Sequence, residues 1–259
     1  MRLFDERDAA IVTGAGNGIG RAIAQALVRE GVSTVFADLE AGTVQAAVRE
    51  VQGERARGVA WVGDLADPAE RERLLAQAHD ALGSVTMLVH SASPPRLERD
   101  HLFAVDTATW ERMRAVNLDA AFHLGRELAR RMIAQRIAGR MLMLTSLHTD
   151  TPRNLVHYST AKAATGMLVK EFAKGLGRFG IRVNALVPGA IAAGGFVARP
   201  ELVRHIPLGR LGEAEDLAPM ALAVLSNRTG GYVTGASIVV DGGLALTNWF
   251  DPPQFEDLG

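Results

Sequence analysis

The sequence predicts an α/β fold, in which a doubly wound parallel sheet of about seven strands carries helices on both faces. Short apolar runs that resemble strands alternate along the chain with longer helical stretches, and this alternation is typical of parallel sheets with helical crossovers. The chain also has 259 residues, of which 48% are hydrophobic, which is enough for a large core. Because α/β sheets of this length commonly form one unit, we expect a single domain over residues 1–259.

The predicted strands are the runs at residues 8–13, 33–37, 58–62, 86–90, 139–145, 181–187 and 236–240. The predicted helices lie at residues 21–30, 40–51, 69–82, 108–136, 159–178 and 213–226. Right-handed crossovers bring the carboxyl ends of such strands to one edge of the sheet, so we expect the ligand at that edge.

A glycine-rich turn joins the first predicted strand to the first predicted helix. Its glycines are Gly14, Gly16, Gly18 and Gly20. Glycine allows positive φ and a close approach of the backbone to a diphosphate, and the following helix offers free N–H groups to the anion. The spacing differs from the usual G-x-G-x-x-G fingerprint, and a tight strand-to-helix connection alone would also explain it.

Asp38, at the end of the second predicted strand, makes the nucleotide interpretation strong. It lies near the offset of about 20 residues at which an acid meets the adenosine ribose in a Rossmann-type site. A carboxylate there repels a 2′-phosphate, and no Arg or Lys lies in the glycine turn or directly after Asp38. We therefore expect NAD rather than NADP. The alternative is that Asp38 caps the next helix or lies in a solvated turn.

Tyr158 and Lys162 lie four residues apart, which is about one helical turn and sets both side chains on one face. A neighbouring cation favours the phenolate, which can then act as a base. The spacing alone is more typical of an exposed helix pair.

Two further polar residues lie where a catalytic site needs them. Ser146 follows the strand at residues 141–145, at an edge where it can hydrogen-bond a substrate oxygen. Asn117 interrupts the apolar pattern of the helix at residues 108–136, and a buried amide must find partners. Either residue by itself is more often structural.

Together these residues resemble the short-chain dehydrogenase/reductase (SDR) family, and the resemblance covers nearly the whole chain. The order and spacing of further motifs carry it: Thr13-Gly14-x-x-x-Gly18-x-Gly20, Gly63-Asp64-Leu65, Pro188-Gly189, Tyr232-Val233-Thr234-Gly235 and Asp241-Gly242-Gly243.

The resemblance implies an NAD-dependent enzyme that interconverts a secondary alcohol and a ketone or lactone. It implies that Tyr158 is the acid/base, that Lys162 supports it and holds the nicotinamide ribose, and that Ser146 orients the reacting oxygen. Asn117 then supports a water-linked proton relay behind the lysine. The implied cofactor-binding residues are Gly14, Asn17, Gly18, Ile19, Gly20, Asp38, Asp64, Leu65, Ser91, Tyr158, Lys162, Pro188, Gly189 and Ile191.

The chain departs from the family pattern at two places. His90-Ser91-Ala92-Ser93 stands where the family usually has Asn-Asn-Ala-Gly, at the end of a buried strand beside the cofactor. Ala193 replaces a threonine that contacts the carboxamide, so we expect the nicotinamide to rely more on backbone groups. Neither change affects the acid/base residues.

The segments predicted to supply the pocket are polar and basic. They are Pro94-Pro95-Arg96, Leu147-His148, Arg153-Asn154 and a lid that carries Arg199, Arg204 and His205. A long acyl chain would prefer apolar walls. We therefore expect a sugar, a polyol or a small anionic hydroxy compound as substrate, beneath a lid at about residues 190–211. The predicted substrate-binding residues are Ser146, His148, Arg153, Asn154 and Tyr158. The alternatives are a 3-oxoacyl-thioester reductase that prefers NADPH, and a non-catalytic dinucleotide-sensing regulator.

The composition argues against several other classes. The formal net charge of −1, with no basic stripe, disfavours a nucleic-acid partner. The chain has no cysteine, which excludes disulfides and thiolate metal sites and fits a reducing compartment. We expect no catalytic metal, because no metal-ligand spacing is present. No apolar run approaches membrane length, so we expect no membrane partner and a cytoplasmic protein.

The C-terminal tail, residues 244–259, carries Trp249, Phe250 and Phe255. Exposure of these aromatic residues in a monomer would be costly, and the resemblance implies a homotetramer. We therefore expect the tail to pack on a neighbouring subunit, near its lid. The alternative is a frayed terminus.

Deleting residues 247–259 is expected to lower the melting temperature and to weaken oligomerisation or raise KM, because a docking surface is lost. Thermal unfolding, light scattering and steady-state kinetics compare the truncated chain with the full chain. Unchanged melting temperature, mass in solution and kinetics would contradict a docking role for the tail.

Overall fold

The computed structural model describes residues 2–97, 100–193 and 200–246. Its strands are β1 (Ala9–Thr13), β2 (Ser33–Asp38), β3 (Gly58–Val62), β4 (Met87–His90), β5 (Arg140–Leu144), β6 (Arg182–Pro188) and β7 (Ser237–Val240). Its helices are α1 (Gly18–Arg29), α2 (Ala41–Arg49), α3 (Pro68–Leu82), α4 (Thr107–Arg114), α5 (Ala120–Ala134), α6 (Val156–Leu176), α7 (Pro200–Arg204), α8 (Ala214–Leu225) and α9 (Asn227–Gly230).

Within the described residues, seven parallel strands form one sheet in the order β3-β2-β1-β4-β5-β6-β7. The chain builds outward from β1 to β3 and then returns to the other side of β1, so the winding direction reverses between β1 and β4. Thr13 and His90, the last residues of these two strands, lie side by side in register. The predicted fold class, a Rossmann-type doubly wound sheet, is confirmed, and the reversal opens a crevice at the carboxyl edge.

Alternating side chains of the strands build a separate apolar layer on each face of the sheet. Val12 of β1 belongs to a fully buried cluster with Leu27 of α1 and Leu217 of α8. Ile11, its neighbour in β1, belongs to the opposite cluster with Leu124 of α5. Both faces are covered because successive residues of a strand point in opposite directions.

The predicted continuous helix at residues 108–136 is wrong in its middle. It consists of α4 and α5 joined by a π-helical turn over Ala115–Asp119. A π turn adds one residue to a helical turn, and the spacing of the apolar residues was interpreted as one continuous α-helix. The turn contains the buried Asn117, so the interruption of the apolar pattern at this amide marks the place.

Two predicted segments lie wholly or partly outside the described residues. These are the tail beyond residue 246 and the part of the lid at residues 194–199. In the described remainder of the lid, Ile191 forms a bridge with Gly212, and α7 follows. No described helix has both the length and the apolar character needed to cross a bilayer.

A buried ion pair fastens the amino edge of the sheet, opposite the crevice. Arg140 Nη2 lies 2.7 Å from Asp8 Oδ2, and the side chains are only 6% and 7% exposed. Thr86 Oγ1 donates to Asp8 Oδ1 at 2.9 Å, and Arg140 Nε donates to the carbonyl of Leu225 at 3.1 Å. The pair thus joins the segments that enter β1, β4 and β5 to the end of α8.

Asp8→Ala is expected to lower the free energy of unfolding by about 3–5 kcal/mol, because it leaves the Arg140 guanidinium buried without its counter-charge. Urea unfolding followed by circular dichroism measures the change. The matched control is Glu6→Ala, which breaks the exposed pair with Arg2 and should leave the free energy of unfolding nearly unchanged. Equal effects of the two variants would contradict a fastening role for Asp8.

Candidate active site

A cleft of about 420 Å³ lies at the carboxyl edge of the sheet, across the reversal between β1 and β4. Every residue of the predicted cofactor-binding set lines it. Ser146, Tyr158 and Lys162 line it as well, whereas Asn117 is buried outside the lining. Motifs that lie far apart in the chain therefore meet in one site.

The glycine turn is shaped as a cradle for a diphosphate. Gly14 has φ of +65°, and a Cβ on it would lie 2.8 Å from the Ala92 backbone. A Cβ on Gly20 would lie 2.1 Å from the Gly14 carbonyl oxygen. The Asn17 side chain makes no capping hydrogen bond to α1, so the N–H groups of the first turn are open to an anion. These features fit the diphosphate of a dinucleotide.

Asp38 is oriented by the backbone around it. The amide of Gly16 donates to Asp38 Oδ2 at 2.8 Å, and the amide of Glu40 donates to Asp38 Oδ1 at 3.2 Å. The carboxylates of Asp38 and Glu40 both belong to residues that line the cleft. The ribose end of the site is therefore acidic and fixed in geometry.

The His90 departure is accommodated by a hydrogen-bond chain across the strand ends. Thr13 Oγ1 accepts the amides of Ser91 and Ala92 at 3.1 and 3.2 Å, so its proton points to His90 Nδ1 at 3.0 Å. His90 Nε2 then donates to the carbonyl of Val116 at 3.0 Å. Burial, with a further contribution from the charge of Lys162, lowers the pKa of His90 to about 3. The ring is therefore a neutral connector between strands and the π turn.

Tyr158 and Lys162 share the buried face of α6, one turn apart. Their side chains are 5% and 4% exposed, and Lys162 Nζ lies 5.6 Å from the Tyr158 ring centroid. Lys162 Nζ donates to the carbonyl of Leu144 at 2.7 Å. Burial, and then the charge of Arg96, lowers the pKa of Lys162 to about 7. The ammonium thus exchanges its proton near neutral pH, directly beside the phenol.

Ser146 and Asn117 lie on two further elements near this pair, the end of β5 and the π turn. Ser146 follows β5, and its Oγ accepts the amide of His148 at 3.3 Å. The carbonyl of Asn117 accepts the Thr165 hydroxyl of α6 at 3.2 Å, and its Nδ2 donates to Ser93 Oγ at 3.2 Å. Asn117 thus ties the π turn to the catalytic helix. Its predicted role in a proton relay stays a prediction.

Two charged residues of the cleft, Glu40 and Arg112, were missed by the sequence analysis, and a third, Arg96, lies in a segment that was predicted to supply the pocket. Glu40 lies beside Asp38, Arg112 pairs with Asp64, and Arg96 lies over the ring of Tyr158. Burial raises the pKa of Asp64, but hydrogen bonds from Arg112 and the Ala66 amide outweigh it, so the net shift is downward. Arg112 gave no sequence signal, since it approaches Asp64 only through the fold.

The remaining predicted substrate residues lie at or beyond the margin of the cleft. The His148 and Tyr158 rings are edge-on, with centroids 5.8 Å apart, but His148 is not part of the described lining. Arg153 and Asn154 are exposed in the turn before α6. Their role in substrate binding stays a prediction. Of the predicted lid side chains, Arg204 and His205 are exposed, and Arg199 lies outside the described residues.

Comparison with known proteins agrees with this geometry. A family model described as enoyl-(acyl carrier protein) reductase matches residues 14–245. A (3R)-3-hydroxyacyl-CoA dehydrogenase of Rattus norvegicus is 33% identical, over 92% of this chain and 96% of the relative. A galactitol 2-dehydrogenase (L-tagatose-forming) of Cereibacter sphaeroides is 36% identical, over 92% of this chain and 94% of the relative.

A crystal structure titled as a short-chain type dehydrogenase/reductase from Mycobacterium marinum superimposes with a TM-score of 0.86 at 27% identity, covering 95% of this chain and all of that chain. The chain belongs to the short-chain dehydrogenase/reductase family. The SDR chain is accordingly an oxidoreductase of CH–OH groups that uses a nicotinamide dinucleotide. Relatives named for NADP⁺ occur among the matches, so membership of the SDR family alone does not fix the choice of coenzyme.

Tyr158→Phe is expected to lower kcat/KM by at least about a hundredfold, since it removes the hydroxyl that transfers the proton, while the Kd for NADH changes little. NADH fluorescence titration measures binding, and reduction of NAD⁺ with the best alcohol of a panel measures turnover. The matched control is Tyr232→Phe, because Tyr232 is fully exposed. Substantial activity in Tyr158→Phe would exclude Tyr158 as the acid/base.

Proposed function

We propose that the protein is an NAD-dependent dehydrogenase that interconverts a secondary alcohol and a ketone or lactone on a small polar molecule. The substrate is a sugar, a polyol or a small anionic hydroxy compound. The observation that carries this proposal is the buried Tyr158–Lys162 pair, which shares one cleft with the glycine turn and Asp38.

In the proposed reaction, Tyr158 removes the hydroxyl proton of the alcohol. Lys162 beside it supplies a positive charge that favours the phenolate. Ser146, at the end of β5, hydrogen-bonds the reacting oxygen and orients the carbinol carbon. When bound, the nicotinamide supplies the hydride acceptor.

The preference for NAD rests on the charges around the end of β2. A 2′-phosphate there would face the carboxylates of Asp38 and Glu40. Arg112, a basic residue of the described lining, is already paired with Asp64. The acidic surroundings therefore support NAD over NADP.

A thioester reductase is the second candidate, because the rat relative is named for a hydroxyacyl-CoA. The surroundings of Tyr158 favour the polar substrate instead. Arg96, His148 and Lys162 all contact or approach its ring, and an acyl chain would gain little there. A non-catalytic regulator is disfavoured because Ser146, Tyr158 and Lys162 are all present in one cleft.

The assembly and location remain part of the proposal. We infer one domain over residues 1–259, with a lid at residues 190–211 and a tail at 244–259, in a cytoplasmic homotetramer. Phe122 of α5 and Met167 of α6 are 37% and 55% exposed, which supports helix packing between subunits. Small molecules are the proposed partners, with no nucleic acid, membrane or catalytic metal.

Wild-type protein is expected to prefer NAD⁺ over NADP⁺, and Asp38→Ala should narrow the ratio of kcat/KM values by about tenfold, which corresponds to about 1.4 kcal/mol of repulsion removed. Initial rates with each coenzyme measure the ratio. The matched control is Asp80→Ala, an exposed acid of α3 outside the cleft, which should leave the ratio unchanged. Equal kcat/KM for the two coenzymes in the wild type would overturn the NAD assignment.

A further inference from the structure

The charges along the cleft are divided between its ends. The acids of the described lining are Asp38, Glu40 and Asp64, which lie at the ends of β2 and β3 on one side of β1, and Arg112 pairs with Asp64 there. The end that holds Tyr158 carries Lys162 and Arg96 instead. Low-dielectric walls focus such a field on whatever enters. The part of the cleft where the substrate reacts is therefore positive.

Arg96 lies directly against the catalytic tyrosine. Its guanidinium carbon is 4.4 Å from the Tyr158 ring centroid, and the side chain is exposed to the cleft. Within residues 2–97, 100–193 and 200–246, Arg96 forms neither an ion pair nor a side-chain hydrogen bond. Its charge also acts on Lys162, where it opposes protonation. A guanidinium held in this place without a protein counter-charge from those residues is suited to an anion.

The segment that carries Arg96 is closed by hydrogen bonds of its own and lies beside the catalytic helix. The amide of Leu97 donates to Asp100 Oδ2 at 2.8 Å, and the amide of Asp100 donates back to the Leu97 carbonyl at 2.9 Å. Asp100 Oδ2 also lies 3.7 Å from Nε2 of His157, a buried ring next to Tyr158 in α6. Pro94 and Pro95 restrict the backbone before Arg96. These contacts restrict the backbone next to Arg96, and the ring of Tyr158 is the group that its guanidinium contacts.

We propose that Arg96 binds the carboxylate of the substrate, so that the enzyme acts on short hydroxy acids. This inference rests on the proposed dehydrogenase function and narrows its substrate class. Because Arg96 and Tyr158 are in contact, one small molecule reaches both, with its carboxylate on the guanidinium and its hydroxyl at the phenol. Oxidation removes the carbinol hydride to NAD⁺ and the hydroxyl proton to Tyr158, and yields the oxo acid with its carboxylate intact.

The experiment compares matched pairs of compounds that differ only in the anionic group. These are 2-hydroxybutyrate with 1,2-butanediol, 3-hydroxybutyrate with 1,3-butanediol, and glycerol 3-phosphate as the phosphate arm. Arg96→Gln should lower kcat/KM for a hydroxy acid about thirtyfold or more, mainly through KM, and that for its diol by less than about threefold. Arg96→Lys should recover part of the loss, since it restores the charge without the planar fork.

The matched control is Arg178→Gln. Arg178 also stacks on an aromatic ring, at 4.7 Å from the Phe179 centroid, but it lies outside the cleft lining. Its removal should therefore leave kcat/KM unchanged for both the hydroxy acid and its diol. A second readout needs no turnover: NADH fluorescence of the enzyme–NADH complex reports the Kd of the same carboxylates, which should weaken in Arg96→Gln and not in Arg178→Gln.

The outcomes separate this inference from the proposed function. Oxidation of the diols in preference to the acids, or equal Kd values for carboxylates in wild type and Arg96→Gln, would overturn the role of Arg96 and leave the dehydrogenase standing. Preference for glycerol 3-phosphate would overturn the carboxylate assignment. Arg96-dependent carboxylate binding without oxidation of any compound would instead contradict the proposed function.

Discussion

The hydroxyl of Thr13 is the connection on which the site depends. Two parallel strands end at the point where the winding reverses, and three chain segments must meet there without leaving buried polar groups unpaired. Thr13 accepts two amides of the segment after β4 and donates to His90, which in turn reaches the π turn. One side chain therefore sets the relative positions of the glycine turn, the segment leading to Arg96 and the support of the catalytic helix.

Burial of charge is the second constraint. Its net result differs between the two ends of the cleft, because Asp64 keeps its charge whereas Lys162 loses its proton more easily. Asp64 keeps its charge because Arg112 and a backbone amide compensate its partial burial. Lys162 has only the Leu144 carbonyl as a hydrogen-bond partner among the described residues, so burial weakens its hold on the proton. At one edge of the sheet, Asp64 is therefore a stable anion, whereas Lys162, beside Tyr158, is a cation that readily releases its proton.

Much of the fold could be predicted from the sequence because its signals are local. The strand runs, the glycine turn and Asp38 are each readable from a few neighbouring residues, and the predicted cofactor residues all line one cleft. The π turn, the Arg112–Asp64 pair and the contact of Arg96 with Tyr158 were not predicted, since each arises from packing between distant segments. Arg153 and Asn154 lie in an exposed turn before α6, and their contact with the substrate stays a prediction.

The buried pair of Asp8 and Arg140 has a consequence for how the sequence of this chain can change. It secures three strands at the edge that carries no chemistry, while the loops that choose the substrate leave from the other edge. Substitutions in those loops can therefore accumulate with little loss of folding free energy. A chain built in this way can exchange one alcohol for another over evolutionary time while its scaffold stays intact.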